Sequence, residues 1–166
     1  MSSTLDQLYH EDFYAWARSQ ADALRRLAAT RPNAGIDFEH LIEEVEDLGD
    51  HRLIAVRSQT RRLIEHLLKL EYSPSDNPRR GWLRTVVNAR DEIADHLTTS
   101  IRNEITQELP TLYAKARKNA QRELRWQGEP EAADTLPSSC PYGLDELLDE
   151  DWYPANRHGL APDGGP

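Results

Sequence analysis

A run of apolar side chains at helical spacing, from Phe38 to Leu70, constrains this chain more than any other feature. Its members keep one phase throughout: Phe38, Leu41, Val45, Leu48, Val56, Leu63, Leu67 and Leu70. This spacing fills one face of an α-helix. The run therefore predicts one helix of roughly 35 residues, about 50 Å long at about 1.5 Å per residue. A glycine inside a helix costs only about 1 kcal/mol, so we expect the helix to continue through Gly49, with a kink there as the alternative.

Three further helices are expected around this long one. Apolar periodicity predicts a helix over residues 5–29, a third from Trp82 to near residues 98–100, and a fourth from there to about residue 127, kinked or restarted at Pro110. Residues 73–78, Ser-Pro-Ser-Asp-Asn-Pro, form a clear connection. The predicted fold class is thus all-α, a helical bundle of four main helices.

The bundle is expected to span residues 1–127. Six of the ten prolines follow it, so we expect residues 128–166 to form a C-terminal strap, one short helix near residue 147 and a mobile tail, all within the same domain.

Charge and composition narrow the class of protein. The net charge is −9, but residues 1–50 carry −7, residues 51–90 carry +6 and residues 128–166 carry −8. The acidic total argues against nucleic-acid binding, because phosphate affinity comes from clustered Lys and Arg. Cys140 is the one cysteine, which excludes an internal disulfide. No stretch is apolar enough to cross a bilayer and the N-terminus lacks a signal-peptide pattern. We therefore expect a cytoplasmic protein without membrane attachment.

Polar side chains that interrupt the apolar faces are the candidate site. On the long helix Arg52, Gln59 and His66 follow one line at seven-residue spacing, and Glu44 borders it. Arg90 lies at the centre of the third helix's apolar face. An unpaired buried arginine costs about 3–5 kcal/mol. We therefore expect Arg90 to face a carboxylate, with Glu44 first and Asp12 or Glu46 next.

Two interpretations of these residues remain open. They form either a buried polar network that fixes helix register, or a pocket that binds a small anionic ligand or supports catalysis through His66. No metal site is expected, since the pairs Asp47–His51 and Glu92–His96 lie away from the apolar faces. The chain has no glycine-rich phosphate loop, Gly-x-Ser-x-Gly or His-Glu-x-x-His motif. No cofactor is predicted.

Several sequence blocks resemble a known family. They are residues 8–17 (LYHEDFYAWA), 41–49 (LIEEVEDLG), 66–70 (HLLKL), Trp82 with Arg90, Cys140-Pro141-Tyr142, and 147–154 (LLDEDWYP). Together they are similar to the bacterial family called domain of unknown function 29, over nearly the whole chain. The resemblance implies an all-helical protein and no assigned activity. The resemblance implies that the residues of the family's pattern correspond in this sequence to Trp16, Glu43, Glu44, Gly49, His66, Lys69, Trp82 and Arg90.

Three functions remain possible from the sequence. The first is a small interaction or regulatory protein that binds a protein partner or itself, through an exposed apolar patch near Trp126 or Trp152. The second is a small-ligand-binding bundle or enzyme centred on Glu44, His66 and Arg90. Its flanking candidates are Asp12, Trp16, Glu43, Lys69 and Trp82. The third is nucleic-acid contact, which requires six arginines to share one exposed surface: Arg57, Arg61, Arg62, Arg79, Arg80 and Arg84.

Overall fold

The structure, a computed structural model, describes residues 4–31, 33 and 35–163. Its helices are α1 (Thr4–Glu11), α2 (Phe13–Thr30), α3 (Phe38–Tyr72), α4 (Arg79–His96), α5 (Thr99–Trp126), α6 (Pro130–Asp134) and α7 (Leu144–Leu148). The described residues include no strand, and the predicted all-α class is confirmed. None of the helices within those ranges is both long enough and apolar enough to span a membrane.

The long helix α3 runs for 35 residues without a break, as its apolar run predicts. Asp37 begins it, because its carboxylate accepts a hydrogen bond from the His40 backbone N–H at 3.3 Å. Helix α5 is also continuous, with Pro110 inside it. The helix therefore does not restart at Pro110, which was one of the two predicted alternatives.

Gly49 allows α3 to approach α2 closely. A Cβ at this position would lie 2.9 Å from the Cβ of Ala17 and 3.7 Å from Tyr14. Both of these α2 residues are buried. The helix thus keeps a glycine inside it because a neighbouring helix occupies the space of a side chain.

We expect Gly49→Ala to lower the free energy of unfolding by about 1–2 kcal/mol, because the clash outweighs the gain in helix propensity. Gly81→Ala is the matched control. Gly81 also lies in a helix, but a Cβ there would meet nothing within 4 Å, so this change should stabilise by up to about 1 kcal/mol. Urea unfolding of both variants measures the contrast. Equal effects would show that Gly49 is not needed for close packing.

The helix predicted over residues 5–29 is two helices. Asp12 separates them and accepts a hydrogen bond from the Ala15 backbone N–H at 3.0 Å, which caps α2. Its carboxylate also accepts hydrogen bonds from the Thr98 hydroxyl and the Ser100 N–H, each at 2.9 Å. Burial opposes ionisation of Asp12, but these hydrogen bonds outweigh it and hold the pKa of Asp12 below its usual value. Asp12 thus joins the starts of α2 and α5 and is not a partner of Arg90.

Contacts divide the chain into two compact units. Unit 1 comprises Met1–Val56 and His96–Glu104, and unit 2 comprises Arg57–Asp95 and Ile105–Pro166. The buried apolar residues of unit 1 include Tyr14, Ala17, Ala21, Phe38, Leu53, Val56 and Ile101. Those of unit 2 include Leu63, Leu67, Leu70, Trp82, Val86, Ile93, Tyr113, Leu124 and Leu147.

The C-terminal segment of unit 2 contains two short helices, where the sequence predicted one. Helix α6 was missed; Pro130 begins it with a backbone angle already suited to a helix. Helix α7 buries Leu147, as expected for the short helix. Beyond it, the Asn156 side-chain amide donates to the carbonyls of Leu70, Glu71 and Ser73 at 2.8–3.2 Å. The first part of the tail thus caps the end of α3, and residues 164–166 lie outside the described residues.

Candidate functional site

The predicted polar cluster does not form one site. Glu44, Arg52, Gln59 and His66 all lie on the continuous helix α3, and the 22 residues between Glu44 and His66 span about 33 Å. Glu44 is exposed, and the Arg52 guanidinium lies 4.4 Å from the centre of the Phe13 ring. Gln59 is half-buried. Along this continuous helix Glu44 and His66 are therefore too far apart to contact the same small ligand.

Arg90 is buried as predicted, but it faces main-chain carbonyls instead of a carboxylate. Its guanidinium donates to the carbonyls of Leu147 at 2.9 Å, Glu150 at 3.3 Å and Trp152 at 2.8 Å. It also lies 5.0 Å from the Tyr153 ring centre. The carbonyl of Leu147 belongs to the last turn of α7, where helical partners are lacking. Arg90 therefore anchors the C-terminal segment of unit 2, and the expected pairing with Glu44 is wrong.

Lys69, His66 and Trp82 do come together, in what we call the Lys69 cluster with Glu65 and Glu123. The side chain of Lys69 is 2% exposed, and its Nζ lies 2.5 Å from Glu123 Oε2 and 3.6 Å from Glu65 Oε1. The same Nζ is 3.2 Å from His66 Nε2 and 5.4 Å from the Trp82 ring centre. One buried ammonium thus has two carboxylates, an imidazole and an aromatic face around it.

The Lys69 cluster shifts the protonation of its members. Burial, with the charge of Lys69 second, lowers the pKa of His66 to about 4. The neutral ring donates from Nδ1 to the Arg62 carbonyl at 2.9 Å, so its Nε2 accepts from Lys69. Burial raises the pKa of Glu65. Burial also acts to raise the pKa of Glu123, but the hydrogen bond and the charge of Lys69 outweigh burial, so the pKa of Glu123 is lowered. The charged and polar groups of the cluster contact one another within unit 2, which is the arrangement of a structural network.

Because the pKa of folded His66 lies below the unfolded value of 6.5, the unfolded chain binds the proton more readily. Stability from neutral His66 is complete above pH 6.5 and is lost as the pH falls towards 4. We expect a loss of about 2 kcal/mol, less than the full linkage value since the ring is partly exposed. Urea unfolding of wild type and His66→Gln between about pH 7 and about pH 4 isolates this contribution. If the free energies of unfolding of wild type and His66→Gln changed in parallel with pH, this contribution from neutral His66 would be contradicted.

The other residues that the sequence singled out are not members of the Lys69 cluster. Glu43 is exposed, and Trp16 is half-buried against Tyr9 and Phe13. Glu46, the third expected partner of Arg90, pairs with Arg25 at 2.7 Å. Trp126 is 74% exposed, whereas Trp152 packs on Tyr142. Within the described ranges no three His, Cys, Asp or Glu side chains are grouped for a metal ion.

The arginines considered for nucleic acid do not share one exposed surface. Arg79 is 1% exposed and donates to the carbonyls of Leu70 and Ala161. Arg57 forms an ion pair with Glu108. Nucleic-acid contact through the six arginines required one shared exposed surface, and burial of Arg79 contradicts that requirement.

The α2–α3 pair of unit 1 has two different sides. The helices are antiparallel, since Phe13 contacts Arg52 while Ala17 lies against Gly49. One side carries ion pairs, Arg18–Asp50 at 4.0 Å and Arg25–Glu46 at 2.7 Å.

The opposite side, which we call the apolar flank, consists of Tyr9, Phe13, Trp16, Leu24, Leu27, Leu41, Val45 and Leu48. At about 100° per residue, Phe13, Trp16, Leu24 and Leu27 share one edge of α2, and the Arg52–Phe13 contact places them beside Leu41 and Leu48. Tyr9 packs edge-on against Phe13 and Trp16, with ring centres 5.5 Å and 4.9 Å apart. Leu41 is 40% exposed and Leu48 54%. The apolar flank is the candidate site.

Sequence reasoning missed the flank because it assigned Leu41 and Leu48 to the buried face of α3. The sequence feature that could have revealed the flank is the width of the apolar stripe on α3. Leu48 lies about 100° around the helix from Gly49, which is buried against α2. One neighbouring helix cannot cover so wide a stripe.

The model of the family described as domain of unknown function DUF29 matches residues 8–153. The chain belongs to this family. A solved structure, an α-helical protein of unknown function from Rhodospirillum rubrum ATCC 11170, is similar to this DUF29 chain with 27% sequence identity and a TM-score of 0.74. The match covers 87% of this chain and 90% of that one. No curated protein matches. The DUF29 family and this structural neighbour carry no assigned activity.

Proposed function

We propose that this DUF29 protein is an interaction module whose apolar flank binds an amphipathic helix of a partner protein. The observation that carries the proposal is the exposure of large apolar side chains on one side of the α2–α3 pair, Leu27 at 39%, Leu41 at 40% and Leu48 at 54%. A contiguous exposed apolar surface of this kind is typical of protein-binding sites. A bacterial, cytoplasmic setting stays a prediction from the sequence.

The shape of the flank favours a helix as the bound element. Two antiparallel helices with apolar side chains along one shared edge form a shallow groove, into which an amphipathic helix can place its apolar face. The edge from Trp16 to Leu27 is about 16 Å long. A partner helix of three to four turns matches this length.

Charge favours a basic partner over a second copy of this chain. Glu44 is exposed on α3 beside the line of Leu41 and Leu48, and residues 1–50 carry a charge of −7. Two such acidic surfaces repel each other, whereas Lys and Arg beside the apolar face of a partner helix complement them. The predicted self-association is therefore the less favoured of the two expected partners.

The proposal is tested with two labelled helical peptides of equal length, one of Leu and Lys and one of Leu and Glu. We expect the basic peptide to bind wild type and the acidic one to bind at least tenfold more weakly, measured by fluorescence anisotropy. Leu48→Ser should weaken binding of the basic peptide at least tenfold. Ile54→Ser is the control, because Ile54 is 55% exposed on the same helix but lies about 120° away from Leu48 around the helix axis.

Equal binding by the two variants would contradict the apolar flank as the site. A concentration-dependent dimer of wild type that Leu48→Ser dissociates would identify a second copy as the occupant and overturn the proposed partner. Light scattering during size-exclusion chromatography measures this second outcome.

A further inference from the structure

A second candidate site lies in unit 2, where the α3–α4 connection meets the start of α6. Two clefts adjoin there, with volumes of about 430 Å³ and 370 Å³. The first is lined by Ser75, Asn77 and Gln127 among others, and the second by Glu131 and His158 among others. Glu129 lines both clefts. The two clefts therefore meet at this residue.

The backbone holds Glu129 firmly at this point. Gly128 adopts a φ of 82°, the left-handed conformation that ends a helix. The Glu129 N–H then donates to the Leu124 carbonyl at 2.9 Å, which closes the last turn of α5. The side chain is directed inwards, and the residue is 9% exposed. The way in which α5 ends thus fixes the backbone position of Glu129.

One oxygen of this carboxylate lacks a partner. Oε1 accepts a hydrogen bond from the Ser75 hydroxyl. Oε2 is buried without a hydrogen bond to any described residue. A buried carboxylate oxygen without a donor is costly, and such groups in native proteins commonly mark a binding role. The last torsion angle of a glutamate is soft, so this carboxylate can rotate to meet a donor.

The surroundings favour a positively charged ligand. Neither Lys nor Arg is among the residues that line the two clefts in the described part of the chain, whereas Glu131 adds a second carboxylate. Residues 128–166 carry a charge of −8. The amide oxygens of Asn77 and Gln127 and the Ser75 hydroxyl add neutral acceptors. The ligand thus needs a positive charge and several N–H donors.

We propose that Glu129 anchors a binding site for a small organic ammonium, a protonated primary amine or diamine. One N–H of the ammonium donates to Glu129, and the others donate to amide or hydroxyl oxygens of the first cleft. A second ammonium on a short chain pairs with Glu131. An ammonium fits better than a metal ion, because no group of three metal-binding side chains occurs among the described residues.

Isothermal titration with 1,4-diaminobutane tests the site, with methylammonium and magnesium chloride at matched ionic strength as comparison ligands. We expect saturable binding of the diamine to wild type and at least tenfold weaker binding to Glu129→Gln. Glu131→Gln should weaken diamine binding more than methylammonium binding. Glu92→Gln is the control, because it removes the same charge from an exposed position on α4.

Titrations are run below the unfolding temperature of every variant, so that a stability change does not mimic lost binding. Equal affinities of wild type and Glu129→Gln for the diamine would overturn the site. A response to magnesium that matches the response to the diamine would overturn the ammonium as ligand. Because the apolar flank lies in unit 1, neither result bears on the proposed partner helix.

Discussion

Replacing Arg90 with Met is expected to lower the free energy of unfolding by about 3–5 kcal/mol. The change removes the donors for the carbonyls of Leu147, Glu150 and Trp152. Methionine fills much of the same volume, so the loss reports the hydrogen bonds and not a cavity. Urea unfolding measures the change in stability.

The same substitution should release a defined segment. With the three carbonyls unpaired, amide hydrogen exchange in residues 144–153 is expected to accelerate more than exchange in the core of α4. Arg90→Lys should rescue only part of the loss, because an ammonium lacks the planar fork that reaches three separate acceptors. Arg84→Met is the control, since Arg84 is exposed on the same helix. A loss no larger than that of the control would contradict the anchoring role.

The second large effect is expected from Lys69→Met. This change leaves the carboxylates of Glu65 and Glu123 in the Lys69 cluster without their buried counter-charge. Removing one partner of a buried ionic network costs about 3–5 kcal/mol, more than the network itself contributes. We expect a loss of this size in urea unfolding at neutral pH. Lys118 is exposed on α5, so Lys118→Met is the control and should change stability by less than about 0.5 kcal/mol.

Two further results separate an ionic cause from simple loss of packing. Adding Glu65→Gln and Glu123→Gln to Lys69→Met should recover part of the stability, because the uncompensated charges are gone. The gap between Lys69→Met and wild type should also narrow as the pH falls and the carboxylates are protonated. A gap that is independent of pH and unaffected by the glutamine substitutions would show that Lys69 acts only by filling space.

Much of the fold follows from local pattern. The apolar run from Phe38 to Leu70 predicts α3 with nearly its observed bounds, and the proline-rich connection at residues 73–78 predicts its end. The break at Asp12 was missed because α1 and α2 keep similar apolar spacing across it. Its cause is a side chain that caps α2 and also binds Thr98 and Ser100, 86 and 88 residues away in sequence.

The candidate sites were less accessible to sequence reasoning. A helical wheel identifies residues such as Arg90 that interrupt an apolar face, and burial of Arg90 is confirmed. The wheel gives no information on the partner, and the three main-chain carbonyls that receive Arg90 have no signature in residue type. Glu129 was not singled out at all, since its burial depends on how Gly128 ends α5.

The sequence by itself determined the all-α class, the continuity of α3 and the family, because helical periodicity and short sequence blocks are local properties. Only the tertiary structure decided which polar residues meet. It grouped Lys69 with Glu65, Glu123, His66 and Trp82, and Glu44 lies elsewhere on α3. It also left Leu41 and Leu48 exposed. The physical reason is that an apolar or charged side chain acquires its role from the surface opposite it, and that surface comes from distant parts of the chain.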